Sequence, residues 1–170
     1  MSPFRGAAAS APVERDTFRD ALCRWAAGVT IVTTVDRHDR RPWGFTASAF
    51  SSLSLDPPLI LVCLDRDADC HDAFTRAKRF MINVLRAEHE ELALRFATKG
   101  AEKFSGQEFT LSASGLPTLP DALCSVECDL RQTIPGGDHT ILIGRVHDCV
   151  VRDGRPMIYY NRGFRRLVEA

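Results

Sequence analysis

Five hydroxyl side chains, Thr46, Ser48, Ser51, Ser52 and Ser54, lie among apolar residues between Gly44 and the Pro57-Pro58 pair. Small hydroxyls and backbone N–H groups on a turn donate hydrogen bonds without steric bulk. They can cradle a phosphate or the polar edge of a planar heterocycle. The same composition also serves an ordinary connecting loop. A second suggestive group is His139, which follows Pro135-Gly136-Gly137-Asp138. Its two ring nitrogens can hydrogen-bond a carboxamide or phosphate, and Asp138 can orient it. A strand-end histidine beside a turn aspartate that bonds its own backbone fits as well. Lys103 reads equally as a solvated charge, and Phe104 as a core residue.

Metal and thiol chemistry find less support in the spacing. Of six cysteines, none forms a CxxC pair, and Cys70-His71, beside Asp69 and Asp72, has no second cluster at zinc-ligand spacing. Free thiols packed as small apolar side chains are expected, with no metal, in a reducing compartment. His38, His71, His89 and His147 are scattered at polar positions and suggest no catalytic grouping.

Charge balances at 22 basic against 22 acidic residues, which removes the electrostatic basis for general nucleic-acid binding while leaving a local patch open. The basic residues are nearly all arginine, with lysine only at Lys78, Lys99 and Lys103. Arginine suits bidentate phosphate contacts, but base composition of the coding sequence accounts for it too. A hydrophobic fraction of 45% over 170 residues fits one globular domain with a sizeable core. The longest apolar runs are strand-length, short of the roughly 20 residues that cross a bilayer as a helix. Residues 1–11 are small and polar, without the apolar core of a signal peptide. The expectation is a flexible leader over 1–15, one domain over 16–170, and a cytoplasmic location.

The elements that must position these groups are legible from periodicity. Phe18, Ala21, Leu22 and Trp25 fall on one helical face after an Asp16 or Thr17 cap. Residues 29–35 are β-branched almost throughout and pair through a polar link, 36–41, with a strand beginning near Pro42. A hydroxyl-rich loop then leads to a buried strand over 59–64. A short helix over 67–74, a strand over 79–85 and a helix over 88–97, with Leu92, Leu94 and Phe96 as its apolar positions, come next. Two long alternating runs, 122–134 and 139–151, flank the Pro-Gly-Gly-Asp turn, and a further strand ends at Tyr160. Six or seven strands, no βαβ alternation and no GxGxxG motif argue for a closed antiparallel barrel with peripheral helices.

Several segments in order resemble the flavin reductase family, the small components of two-component flavin-dependent monooxygenases. They are Gly28-Val29-Thr30-Ile31-Val32-Thr33-Thr34 after a helix, 44–48 through 55–59, 80–85, Lys103-Phe104, Gly137-Asp138-His139-Thr140, and Tyr159-Tyr160-Asn161-Arg162-Gly163-Phe164. The resemblance runs from about Phe18 to Leu167. It implies a mainly β fold, the FMN-binding split β-barrel with antiparallel, Greek-key-like strands and a few short helices. It also implies a homodimer with flavin near the subunit interface. The implied reaction is hydride transfer from NADH or NADPH to FMN or FAD, with reduced flavin released to a partner monooxygenase.

By the same resemblance, Thr46, Ala47, Ser48, Ser51 and Ser52 contact the flavin's ring edge and phosphate side. Cys63, Leu64 and Asp65 line the same pocket, Lys103 and Phe104 lie near the flavin, and His139 seats the nicotinamide as the catalytic residue. Arg162 is a further cofactor contact. Direct hydride transfer needs two stacked rings at near-attack distance, with no nucleophile, metal or strong base. Hydroxyl and N–H donors suit the ring edge where negative charge develops on reduction. Another reading is a split-barrel flavoprotein that retains FMN as a redox sensor or small-substrate oxidase. The Gly137-Asp138-His139 turn speaks against it, since that protein needs no pyridine-nucleotide site. A nucleic-acid-binding barrel is disfavoured by neutral charge and few clustered aromatics.

Overall fold

The computed structural model describes residues 12–167. Residues 1–11 of the expected leader lie outside them. The helical spacing around Phe18 and Leu22 gives α1 (Arg15–Leu22), with Asp16 in the first turn and Arg19 in the last, as the helix dipole favours. Its apolar side chains do not reach a core. No α1 residue is buried, and Phe18 and Leu22 are 51% and 56% exposed. After the short β1 (Ala27–Gly28), the β-branched run forms β2 (Thr30–Val35), paired antiparallel with β3 (Pro42–Ala47) from Thr30↔Ala47 to Val35↔Pro42.

The hydroxyl-rich segment departs from its expectation as a loop. Thr46 lies within β3, Ser48 and Ala49 turn, and the serines beyond lie on β4 (Phe50–Leu55), which an Asp56-Pro57 turn pairs with β5 (Pro58–Asp65) across a bulge between Ser52 and Ser54. β4 lies at a sheet edge, where one side of the backbone goes unpaired and polar side chains sit comfortably in water. Then follow α2 (His71–Arg76), β6 (Arg79–Val84), a 3-10 turn over Ala87–His89 and α3 (Glu90–Ala97). The chain continues through the two-residue strands β7 (Thr110–Leu111) and β8 (Pro117–Thr118) to the long hairpin β9 (Cys124–Gly136) and β10 (His139–Val151). It closes with β11 (Ile158–Tyr160) and β12 (Gly163–Arg165). Gly137, at φ +71, supplies the left-handed residue that the two-residue β9–β10 turn requires.

Seven strands form one antiparallel sheet in the order β3-β2-β6-β9-β10-β5-β4, while β1, β11 and β12 make a smaller sheet. β3 and β4 are joined by two residues yet occupy opposite ends of this sheet, with no ladder between them. The expectation of a closed barrel is corrected here. The barrel is split, and the split lies at Ser48-Ala49. Its interior holds Val32, Phe45, Val62, Phe80, Ile82 and Leu142. A second core on the outer face of β2 packs Ile31 and Leu85 against Leu92, Ala93 and Phe96 of α3. Both faces of β2 are therefore covered, which explains its unbroken apolar and threonine run. Leu94, expected on the apolar face of α3, is 53% exposed.

Candidate active site

Two grooves meet at the split. The first, about 270 Å³, lies between the end of β3, the end of β5 and the loop after α3. It takes Thr46, Ala47 and Ser48 from one side, Cys63, Leu64 and Asp65 from another, and Lys103 and His139 from a third. Register explains the grouping. His139 opens β10 directly across from Asp65, and Thr140 pairs with Leu64, so the hairpin turn must stand over the end of β5. The Arg66 N–H donates to the Asp138 carbonyl at 3.0 Å and ties the two ends together. Thr140 is held from behind by His71 Nε2, 2.9 Å from its hydroxyl.

His139 is oriented by its neighbour. Its Nδ1 lies 2.7 Å from Asp138 Oδ1, and an ionised carboxylate only accepts, so Nδ1 carries the proton and Nε2 remains for another partner. That hydrogen bond holds the Asp138 carboxyl below the ordinary aspartate range. Lys103 is fixed by donating from Nζ to the Gly44 carbonyl at 3.3 Å. Its loop is pinned by Asp69, whose Oδ2 accepts the Gly100 N–H at 2.7 Å. Both lysines of this loop, Lys99 and Lys103, border the groove.

The hydroxyls divide. Thr46 Oγ1 donates to the Ala93 carbonyl at 2.7 Å, fastening β3 to α3. Ser51 donates to the Ser52 carbonyl, while Ser48, exposed at the turn, has no intramolecular hydrogen bond among the described residues. Apolar walls come from Phe45, Ala47, Leu64 and Ala68. Cys63 stands half-buried at the junction, its thiol pushed up by burial.

The second groove, about 580 Å³, shares Ser48, Ala49 and Cys63 with the first and runs between β4 and the C-terminal part of α1. Ser51, Trp25, Tyr159 and Arg162 border it. Arg162 is committed to Asp20, with Nη2 2.6 Å from Oδ1, and is set apart from the first groove. Two expected contacts lie elsewhere. Ser52, exposed on β4, lines neither groove. Phe104 packs edge-on against Phe96, ring centres 5.1 Å apart, in the outer core. Periodicity did not single out Asp69, Lys99 and Ala68, because only the folded chain brings the 65–69 turn to the 97–103 loop.

Among the described residues no helix is long and apolar enough to cross a membrane. All six cysteines are free, with Cys70 and Cys128 buried.

The family model described as "Flavin reductase like domain" matches residues 22–168. The chain is 44% identical over 158 residues to actinorhodin polyketide dimerase of Streptomyces coelicolor, covering 92% of this chain and 89% of that protein. To the reductase subunit HsaB of a flavin-dependent monooxygenase from Rhodococcus jostii it is 36% identical, over 91% of this chain and 79% of the relative. It also superposes on the solved NADH:FAD oxidoreductase SgcE6 of Streptomyces globisporus, in complex with NAD and FAD fragments. The TM-score is 0.86 at 32% identity, over 95% of this chain and 98% of that one.

Proposed function

The chain belongs to the flavin reductase family, and from that premise we propose how its grooves carry out the reaction. The protein is an NAD(P)H-dependent flavin reductase, transferring hydride from NADH or NADPH to FMN or FAD and supplying reduced flavin to a partner monooxygenase. The observation that carries the assignment of parts is the convergence of a partner-free Ser48 hydroxyl, the Lys103 ammonium and an oriented His139 on one apolar-walled groove.

The residues fit a planar, polyanionic cofactor. Ala47, Leu64 and Ala68 offer smooth apolar walls to a ring face and keep water from it. Ser48 and the backbone of the Ser48-Ala49 turn donate to the ring edge, and Cys63 and Asp65 close the end of β5. Lys103 supplies positive charge, and Ser51 and Arg162 extend the polar lining into the second groove. Bound there, flavin supplies the two-electron acceptor for the hydride of reduced nicotinamide. His139, with Nδ1 held by Asp138, offers Nε2 to the nicotinamide carboxamide and its ring face for packing, fixing the near-attack geometry on which the rate depends.

A homodimer belongs to this reading. Phe18, Leu22 and Trp25 leave an apolar strip beside the second groove, and Leu53 and Leu55 lie exposed on the β4 edge; together they suit a second copy of the chain. We read residues 16–170 as one catalytic domain and place it in the cytoplasm, where free thiols persist.

The test is the loss of reduced-nicotinamide absorbance with NADH or NADPH, each with and without added FMN or FAD. Turnover that requires added flavin is expected. A flavin-bound spectrum without turnover for any pair would return the barrel to a flavin-retaining role.

A further inference from the structure

The 36–41 link lines neither groove, and the fold gathers several of the chain's basic residues at that far end of the β2–β3 hairpin. A cleft of about 360 Å³ opens there between the hairpin turn, the start of β6 and the turn before β8. Its charged lining residues are all cationic: Arg37, Arg40, Lys78 and Arg79. Ser114 adds a hydroxyl, and Val35 and Leu116 form the floor.

Only one of these four cations is ion-paired among the described residues. Arg79 is engaged, 2.9 Å from Asp129 and 3.6 Å from the buried Glu127. Arg37, Arg40 and Lys78 have no acidic partner among the described residues. The turn contains two aspartates, whose carboxylates are held by its own backbone and form no ion pair with Arg37, Arg40 or Lys78. Asp36 Oδ1 accepts the His38 N–H at 2.7 Å, and Asp39 Oδ1 accepts the Arg41 N–H at 2.9 Å. Asp36 also lies 3.9 Å from Arg76, which does not line the cleft. Arg40 sits at φ +62, where glycine or asparagine is the ordinary choice.

We propose that this cleft is a second ligand site, for a small phosphate-bearing anion of the pyrophosphate or polyphosphate class. Three cations without an ion-pair partner among the described residues, Arg37, Arg40 and Lys78, held around one cleft focus a positive field, and guanidinium groups match phosphate oxygens in bidentate geometry. The volume is that of a small-molecule site and too confined for an extended acidic segment of another protein. Five strand steps of about 3.4 Å separate Val35 from Thr30, the partner of Ala47, so the cleft lies about 17 Å from the flavin groove. It is therefore independent of the flavin's own phosphate contacts.

The experiment is calorimetric titration of the full chain, saturated with flavin, with inorganic pyrophosphate. Inorganic phosphate and sulfate at matched ionic strength serve as controls. Saturable binding is expected at one site per chain, weaker for phosphate and weakened by sodium chloride. Arg40→Gly removes the cation while suiting the positive φ, so it should raise Kd at least tenfold with the melting temperature preserved. Arg37→Gln combined with Lys78→Gln should do the same, and neither variant should change flavin affinity or NADH turnover. Equal binding of sulfate and pyrophosphate at matched ionic strength would mean an adventitious ion only. Absence of saturable binding, binding untouched by both variants, or tighter binding of an oligoglutamate peptide would each overturn the proposal.

Discussion

Thr46 and Ser48 stand two residues apart and spend their hydroxyls differently. The first is locked to the Ala93 carbonyl of α3, and the second faces the groove without an internal partner. Ser48→Phe should therefore weaken flavin binding by more than tenfold, about 1.4 kcal/mol or more, in a fluorescence titration, with little change in thermal stability. Unchanged titration would remove the turn from the flavin site. His139→Ala should raise the KM for pyridine nucleotide about tenfold, the worth of a hydrogen bond of ordinary strength, while flavin affinity stays near wild type. Equal loss of both would mean that His139 serves the flavin and not the nicotinamide. The density of hydroxyls was visible in the chain, as was the histidine after its glycine turn. Which hydroxyl is free was not, because that depends on an α3 carbonyl 47 residues away.

At the scale of elements, alternation over β9 and β10 was legible because each strand buries one face and wets the other. β4 escaped the same reading. Serine favours turns in isolation, and only the neighbouring β5 ladder makes this stretch extended. The packing of α3 on β3 also depends on a contact that no local pattern announces. A Cβ on Gly44 would lie 2.6 Å from Phe96 Cε1 and 3.0 Å from the Val32 carbonyl oxygen. Gly44→Ala should then cost about 1–3 kcal/mol of stability, as overpacking does, measured by denaturant unfolding. It should also loosen the wall that carries Thr46 and Lys103. A variant as stable as wild type would show that Phe96 can turn aside freely.

For the whole molecule, Trp25 and Leu55, 77% and 94% exposed, leave apolar surface that a second copy would cover. Leu22→Asp with Trp25→Glu should give a monomer by size exclusion with light scattering; an unchanged mass would place the interface elsewhere. Stability should form a plateau bounded by two kinds of group. Asp36, Glu108 and Asp138 have carboxyls held below their ordinary range by backbone hydrogen bonds, by Arg95 and by His139 respectively. Their contribution is present above the unfolded values near 4 and is lost as pH falls through the folded ones. Burial raises the Cys70 and Cys128 thiols to about 11 and about 12, so their contribution is present below the unfolded thiol value and is lost as pH rises above it. Melting temperature should thus be flat from about pH 5 to 8 and fall on either side; a rise on acidification would contradict the assignment. The chain by itself determined its strands other than β4 and the short two- and three-residue ones, its hairpin turn, its free thiols and the likeness of its ordered segments to one family, because periodicity, turn chemistry and motif order are local properties of a sequence. Only the tertiary structure decided where the barrel splits, which hydroxyl and which cations are left without partners, and which residues face one another across a groove. Those follow from strand register and long-range packing, which no local stretch of residues encodes.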